Sequence, residues 1–207
     1  MIKSISYNEQ EILRSIIELH CGGNAIELDA TYSKGNFYKK GIKAPIYKFD
    51  IHPQVSGTVQ ADVEHLPLPD QSIGVAIFDP PFLATKGKSL FKQDESNKMV
   101  KRFGVYPTEK ELFRFYLNSL NEFFRILKDK GTLIVKIQDK VSGGKQYWSH
   151  SFIIEQAQKI GFYCKDLFIL MAKNRMVPKW QSKQQHARKF HCYYIVLQKT
   201  NKTISYL

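Results

Sequence analysis

The sequence is poor in cysteine. Cys21, Cys164 and Cys192 are the only three in 207 residues, odd in number and far apart, which excludes a disulfide framework and a CxxC zinc pattern. Reduced thiols, and with them a cytoplasmic location, are expected. No apolar stretch is long enough to cross a bilayer. The opening Met1-Ile-Lys-Ser-Ile-Ser-Tyr-Asn8 lacks the apolar core of a secretory signal, so no membrane partner is expected. Repeats, low-complexity tracts and linkers are also absent, and residues 1–207 read as a single domain. Acidic residues are scarce: 19 Asp and Glu stand against 31 Lys and Arg, for a net charge of +12. A balance of that sign favours polyanionic partners. His186 and His191 near Cys192 match no standard zinc spacing, so no metal is expected.

What is present is a chain 43% hydrophobic and 13% aromatic, long enough for one sizeable core. Asn8-Glu-Gln-Glu11 reads as a capping box before the helically spaced Ile12, Leu13, Ile16, Ile17 and Leu19. Residues 25–28, 45–49, 57–61 and 72–78 read as four strands, each followed by an aspartate: Asp29, Asp50, Asp62 and Asp79. Residues 109–127 form a strongly amphipathic helix, closed by the cations and glycine of Lys128-Asp-Lys-Gly131. Further strands are expected at 132–137, within 162–171 and at 193–197, with a helix at 152–160. This alternation indicates an α/β, doubly wound domain. No GxGxxG follows the first strand, which argues against a dinucleotide-binding site.

The most informative segment is Asp79-Pro80-Pro81-Phe82, at the end of the apolar run Ile73-Gly-Val-Ala-Ile-Phe78. Two prolines fix φ near −65° and remove two backbone donors. The carbonyls there can accept hydrogen bonds from a ligand, next to a carboxylate and a flat ring. In an open α/β sheet the carboxyl ends of strands are where ligands bind. Such a site suits a planar group carrying an amine, such as a nucleobase.

These residues resemble the class I S-adenosylmethionine-dependent amino-methyltransferases of nucleic acids, the adenine-N6 and cytosine-N4 enzymes. Asp79-Pro-Pro-Phe82 is similar to that family's catalytic motif, 61–73 to the approach before it, and Arg125-Ile-Leu-Lys-Asp-Lys-Gly131 to the helix–turn–strand written R-x-L-K-x-x-G. The resemblance implies a mostly parallel seven-stranded sheet with an antiparallel last strand, and S-adenosylmethionine as cofactor. Asp29, Ser33 and Gly35 would line the methionine end. Asp50 would accept from the ribose hydroxyls and Asp62 from the adenine amine, with Val63 as an apolar neighbour. Ser33 stands where the family carries the first glycine of its cofactor loop. Weaker cofactor binding or a different loop path is the expectation, since serine adopts positive φ less readily than glycine.

In the mechanism that the resemblance implies, Asp79 and the Pro80 carbonyl accept both N–H groups of an exocyclic amine, and Pro81 and Phe82 complete the catalytic motif. Phe82 stacks on the base, which must be extruded or unpaired to enter. Gln138 and Asp139 would reach this site, with Lys136 a sheet-edge residue. Substrate loops at about 83–106 and 172–190 carry +10 of the net charge. Lys86, Lys88, Lys101, Arg102, Arg175, Lys179, Arg188 and Lys189 would contact phosphates, and Trp180 would stack on bases. The expected substrate is adenine N6 in DNA. Cytosine N4, an RNA base, a protein Gln or Lys side chain and a catalytically silent nucleic-acid-binding module are the alternatives. The short chain suggests a specificity subunit or a homodimer as partner.

Overall fold

The computed structural model describes residues 1–84, 106–174 and 186–200. Its centre is an eight-stranded sheet built from β1 (Ile5–Ser6), β2 (Leu28–Asp29), β3 (Tyr47–Asp50), β4 (Val59–Gln60), β5 (Ile73–Phe78), β6 (Leu127–Ile137), β9 (Phe162–Met171) and β10 (His191–Lys199). The spatial order is β1-β9-β10-β6-β5-β2-β3-β4. Within this sheet only β10 runs against its neighbours, pairing antiparallel with both β6 and β9. The antiparallel last strand is therefore as expected, but the count of seven is corrected to eight. The extra strand is β1, two residues that lie parallel on β9. A two-residue strand has no periodicity to read, and β1 exists because the edge of β9 offers it partners: the Ile169 amide donates to the Ser4 carbonyl at 2.7 Å. A separate hairpin, β7 (Lys140–Ser142) with β8 (Lys145–Tyr147), follows β6.

Three α-helices are described: α1 (Glu9–His20), α2 (Glu109–Ile126) and α3 (Ser149–Ile160). The period-two pattern of the strands divides the core between the two faces of the sheet. Val75, Ile77, Ile134, Tyr194 and Val196 pack with Ile12, Leu13 and Ile16 of α1. Ala76, Phe78, Leu133, Val135, Ile137, Ile195 and Leu197 pack with Leu112, Tyr116, Phe123, Ile153 and Ala157 of α2 and α3. Helices on both faces make the domain doubly wound. Each fully buried Leu, Ile or Phe contributes about 1.5–3 kcal/mol, so the α2 stripe fixes that helix firmly.

Two local expectations change. The Asn8 side chain does cap α1, accepting from the Gln10 amide at 3.0 Å. Glu11, however, takes the Ser6 hydroxyl at 2.7 Å, and Ser6 in turn accepts from the Asn8 amide. The reciprocal box is thus relayed through a serine that β1 brings close. At the other helix, Lys128-Asp-Lys-Gly131 does not form a helix end. α2 stops at Ile126, and buried Leu127 already pairs with Ile73. The turn is absorbed as a bulge in β6, with Lys130 at φ 62°. Gly131 sits where a Cβ would lie 2.8 Å from the Lys128 carbonyl oxygen. No helix among the described residues is long and apolar enough to cross a membrane.

Arg125 explains the first position of the R-x-L-K-x-x-G segment. Its guanidinium donates to the Leu66 and Leu68 carbonyls (3.2 and 2.9 Å), to Asp70 (2.6 Å) and to Glu122 (2.6 and 2.9 Å). Glu122 accepts the Leu66 amide at 2.7 Å. One side chain thereby ties the loop before β5 to α2. Arg125→Ala should lower the unfolding free energy by about 2 kcal/mol, because charge-assisted bonds to two part-buried carbonyls and to Glu122 are lost together. Urea unfolding of both proteins checks this.

Candidate active site

The chain runs β2, β3, β4 outward on one side, then returns to place β5 on the other side of β2. The crevice at this reversal, outside the carboxyl ends of β2 and β5, is where an open α/β sheet binds ligands. A cavity of about 530 Å³ lies there. Ser33, Asp50, Asp62 and Val63 line it, together with Asp79, Pro80, Pro81 and Phe82. Residues picked from four separate segments of sequence therefore meet in one space. Asp29 and Gly35 do not line it.

The turn after β5 is held from outside. The Asp79 amide donates to the Thr31 hydroxyl at 2.9 Å. The Tyr116 hydroxyl of α2 donates to the Pro81 carbonyl at 2.7 Å. Lys140 of β7 donates to the Phe82 carbonyl at 2.7 Å and is paired with Glu109 of α2 at 2.7 Å, both side chains buried. Burial pushes the Lys140 ammonium below its usual pKa, with Glu109 opposing. Among the described residues nothing donates to the Pro80 carbonyl. Of the carbonyls from Pro80 to Phe82, the clamps leave that one to the cavity. Phe115 and Tyr106, rings 4.8 Å apart, close the wall beside it.

The opposite wall is acidic. Asp50 is buried at the end of β3, and its two oxygens accept the Ser33 and His52 amides at 2.8 Å each. Asp62, exposed after β4, accepts the Glu64 amide at 2.9 Å. Val63 beside it is buried. Ser33 adopts φ 48° and Gly35 φ 61°, so serine takes the left-handed conformation that glycine favours, at a cost of about 1–2 kcal/mol. Its bond to Asp50 holds it there. At Gly35 a Cβ would come within 2.5 Å of the Tyr32 hydroxyl.

Asp29 lies beneath this loop, 1% exposed. It accepts the Thr31 amide at 2.9 Å and the Tyr38 hydroxyl at 2.9 Å. Tyr38 stacks on Tyr32. Burial raises the Asp29 carboxyl to about 7, against the opposing pull of those donors. Its place is under the loop, supporting Thr31, which supports Asp79.

Several side chains take a part here that the sequence did not assign to them. Lys136 of β6 is no sheet-edge residue: it points into the cavity, 3.3 Å from Asp79 Oδ2 and 2.9 Å from Glu9 Oε1. Glu9 opens α1 and also accepts the Tyr194 hydroxyl at 2.7 Å. Asp139, expected in the site, is instead buried against the His150 ring at 2.8 Å at the start of α3, and Gln138 donates to the His191 carbonyl. Trp148 is 55% exposed, with the Lys189 ammonium 5.3 Å from its ring. Arg188 and Lys189 are half-buried. Lys86, Lys88, Lys101, Arg102, Arg175, Lys179 and Trp180 lie outside the described residues.

Because the Asp29 carboxyl is raised from an unfolded value of about 3.9 to about 7, folding takes up a proton between these values. Its contribution is full below the lower value and lost as pH rises through the upper one. Asp29→Asn removes this titration. Its stability relative to the parent should rise by on the order of 3 kcal/mol between about pH 4.5 and 7.5, as read by urea unfolding across that range.

No family model matches the sequence, and no curated protein is similar to it in sequence. Solved structures are similar in fold. A chain of the complex between the Haloferax volcanii Trm112 methyltransferase activator and a methyltransferase superposes with TM-score 0.51 at 14% identity, covering 90% of this chain and 93% of that one. A methyltransferase of Thermotoga maritima gives 0.49 at 17% identity, covering 85% and 83%. A protein of Thermus thermophilus named as a DNA modification methylase, complexed with S-adenosyl-L-methionine, gives 0.47 at 15% identity, covering 70% and 54%. The chain thus spans about half the length of that protein. The first of these likenesses, at TM-score 0.51, shows the fold, a Rossmann-like methyltransferase architecture.

Proposed function

We propose that the chain is an S-adenosylmethionine-dependent methyltransferase that modifies an exocyclic amine of a nucleobase, adenine N6 in DNA in the first place. The observation that carries this reading is the pairing of Asp79 with the open Pro80 carbonyl at one wall of the cavity, facing the acidic wall of Asp50 and Asp62. The donor set fits the cofactor. Buried Asp50 suits ribose hydroxyls, Asp62 suits an amine, and Val63 and Ile51 supply apolar surface for an adenine ring. When bound, S-adenosylmethionine supplies an electrophilic methyl on a sulfonium that departs as a neutral thioether.

The chain's own residues supply orientation and charge. An aromatic amine is a poor nucleophile because its lone pair is spread into the ring. Asp79 and Pro80, accepting one N–H each, favour a pyramidal nitrogen with the pair localised. As the nitrogen gains its methyl it must lose a proton, and Asp79 is placed to take it or pass it to water. Phe82 offers a face for the base. Outside the cavity, Trp148 with Lys189 gives an exposed ring beside a cation, which suits stacking and phosphate contact with an unpaired strand.

The test is transfer of labelled methyl from S-adenosylmethionine to duplex DNA, single-stranded DNA, RNA and protein, followed by nucleoside analysis. Label in DNA as N6-methyladenine is expected, reduced at least about 100-fold in Asp79→Ala. Label confined to RNA or protein would keep the chemistry and overturn the substrate; absence of cofactor binding would overturn the enzyme. Trp148→Ala should weaken single-stranded DNA binding by about 1–3 kcal/mol without changing cofactor affinity, measured by fluorescence anisotropy and calorimetry.

A further inference from the structure

The strand that carries Lys136 is otherwise apolar at its end: Leu133, Ile134, Val135 and Ile137 surround it and are fully buried. A lysine in that run is costly unless its charge is matched. Alternation along β6 puts Lys136 on the α1 face, with Ile134, and the side chain is only 16% exposed. The Phe37 ring lies 5.0 Å and the Tyr194 ring 5.9 Å from the ammonium, within the range of cation–π attraction. Two carboxylates meet it, Glu9 at 2.9 Å and Asp79 at 3.3 Å. Burial lowers the affinity of Lys136 for its proton, but these carboxylates outweigh burial and the net shift is upward. The group stays cationic at any working pH.

We propose that Lys136, anchored by Glu9, is a positioning residue for Asp79: it holds the carboxylate in one orientation toward the incoming amine. The inference rests on the methyltransferase reading. A lysine needed only to fasten α1 to the sheet would be satisfied by Glu9, which the Tyr194 hydroxyl already fixes. Here the same ammonium is shared with the motif aspartate. The sharing has a second effect. Two carboxylates around one ammonium keep a net negative charge, so the cation steadies Asp79 without cancelling the acidity of the cavity.

Lys136→Met keeps the length of the side chain and removes the charge; Glu9→Gln keeps an acceptor for Tyr194 and weakens the anchor. Both are compared with the parent, and with Lys136→Arg, in the full chain. For Lys136→Met, kcat for methyl transfer should fall about 100-fold, with KM for the nucleic acid and the calorimetric affinity for S-adenosylhomocysteine each within about threefold of the parent. Lys136→Arg should recover at least about tenfold of that loss, and Glu9→Gln should lower kcat about 3- to 10-fold with unchanged product affinity. A kcat within about threefold of the parent in both Lys136→Met and Glu9→Gln would overturn the proposal. So would a loss of kcat that follows a matching loss of S-adenosylhomocysteine affinity and of unfolding free energy, since that pattern belongs to a structural role. Should Lys136→Met not fold, Glu9→Gln and Lys136→Arg decide alone. A parent protein that transfers no methyl to any amine would remove the functional reading itself and this inference with it.

Discussion

The site depends on what Pro80 and Pro81 take away. A strand that ends in two prolines gives up two amide donors, and its carbonyls must find partners elsewhere or stay exposed to the cavity. In this protein the carbonyl partners come from separate elements, Tyr116 on α2 and Lys140 on β7 with its counter-ion Glu109, while the hydroxyl of Thr31 behind β2 accepts the Asp79 amide. All are polar groups in or near the core, costly when unpaired. Because each is paired to the turn, the turn is as rigid as the core that supplies them. The carbonyl that these clamps pass over belongs to Pro80.

Charge is distributed to match. The chain carries +12, yet the cavity wall brings together Glu9, Asp50, Asp62, Glu64 and Asp79 against Lys34 and Lys136. A fold that spread its charges evenly would not concentrate carboxylates there. Low-dielectric walls strengthen the local field, so the cavity favours a cationic guest while the exterior favours a polyanion. On the function proposed above, these would be a sulfonium cofactor and a nucleic acid.

How much of this was legible in the sequence followed from range. Strand β5 with Asp79 directly after it, Asp50 at the end of β3, Asp62 beyond β4, and the apolar stripe of α2 are local signals, set by periodicity and by Pro and Gly, and the structure has them within a residue or two of where they are expected. Strand β1 and the β7–β8 hairpin were not legible, because each exists only through its pairing. Lys136, Glu9 and Tyr194 lie far apart in sequence, and nothing in any of the three segments announces the other two. Asp139 looked like a site residue because it follows a strand; burial and the His150 ring claim it instead. Ser33 looked like a departure from the cofactor loop, yet its backbone takes the left-handed path all the same.

The cofactor-loop segment is held from several sides. Asp29 supports it from below, Asp50 grips the Ser33 amide from across the crevice, and Gly35 turns where a Cβ would meet Tyr32. The strain of a left-handed serine, about 1–2 kcal/mol, is met on folding by contacts with two strands. A ligand then meets a loop already in place and loses little affinity to ordering it. Replacing glycine by serine need not weaken such a site, provided the carboxylate that holds the serine amide keeps its place at the end of β3. The loop geometry thus resides in Asp50 as much as in residue 33, and a reading that followed the glycines alone would miss it.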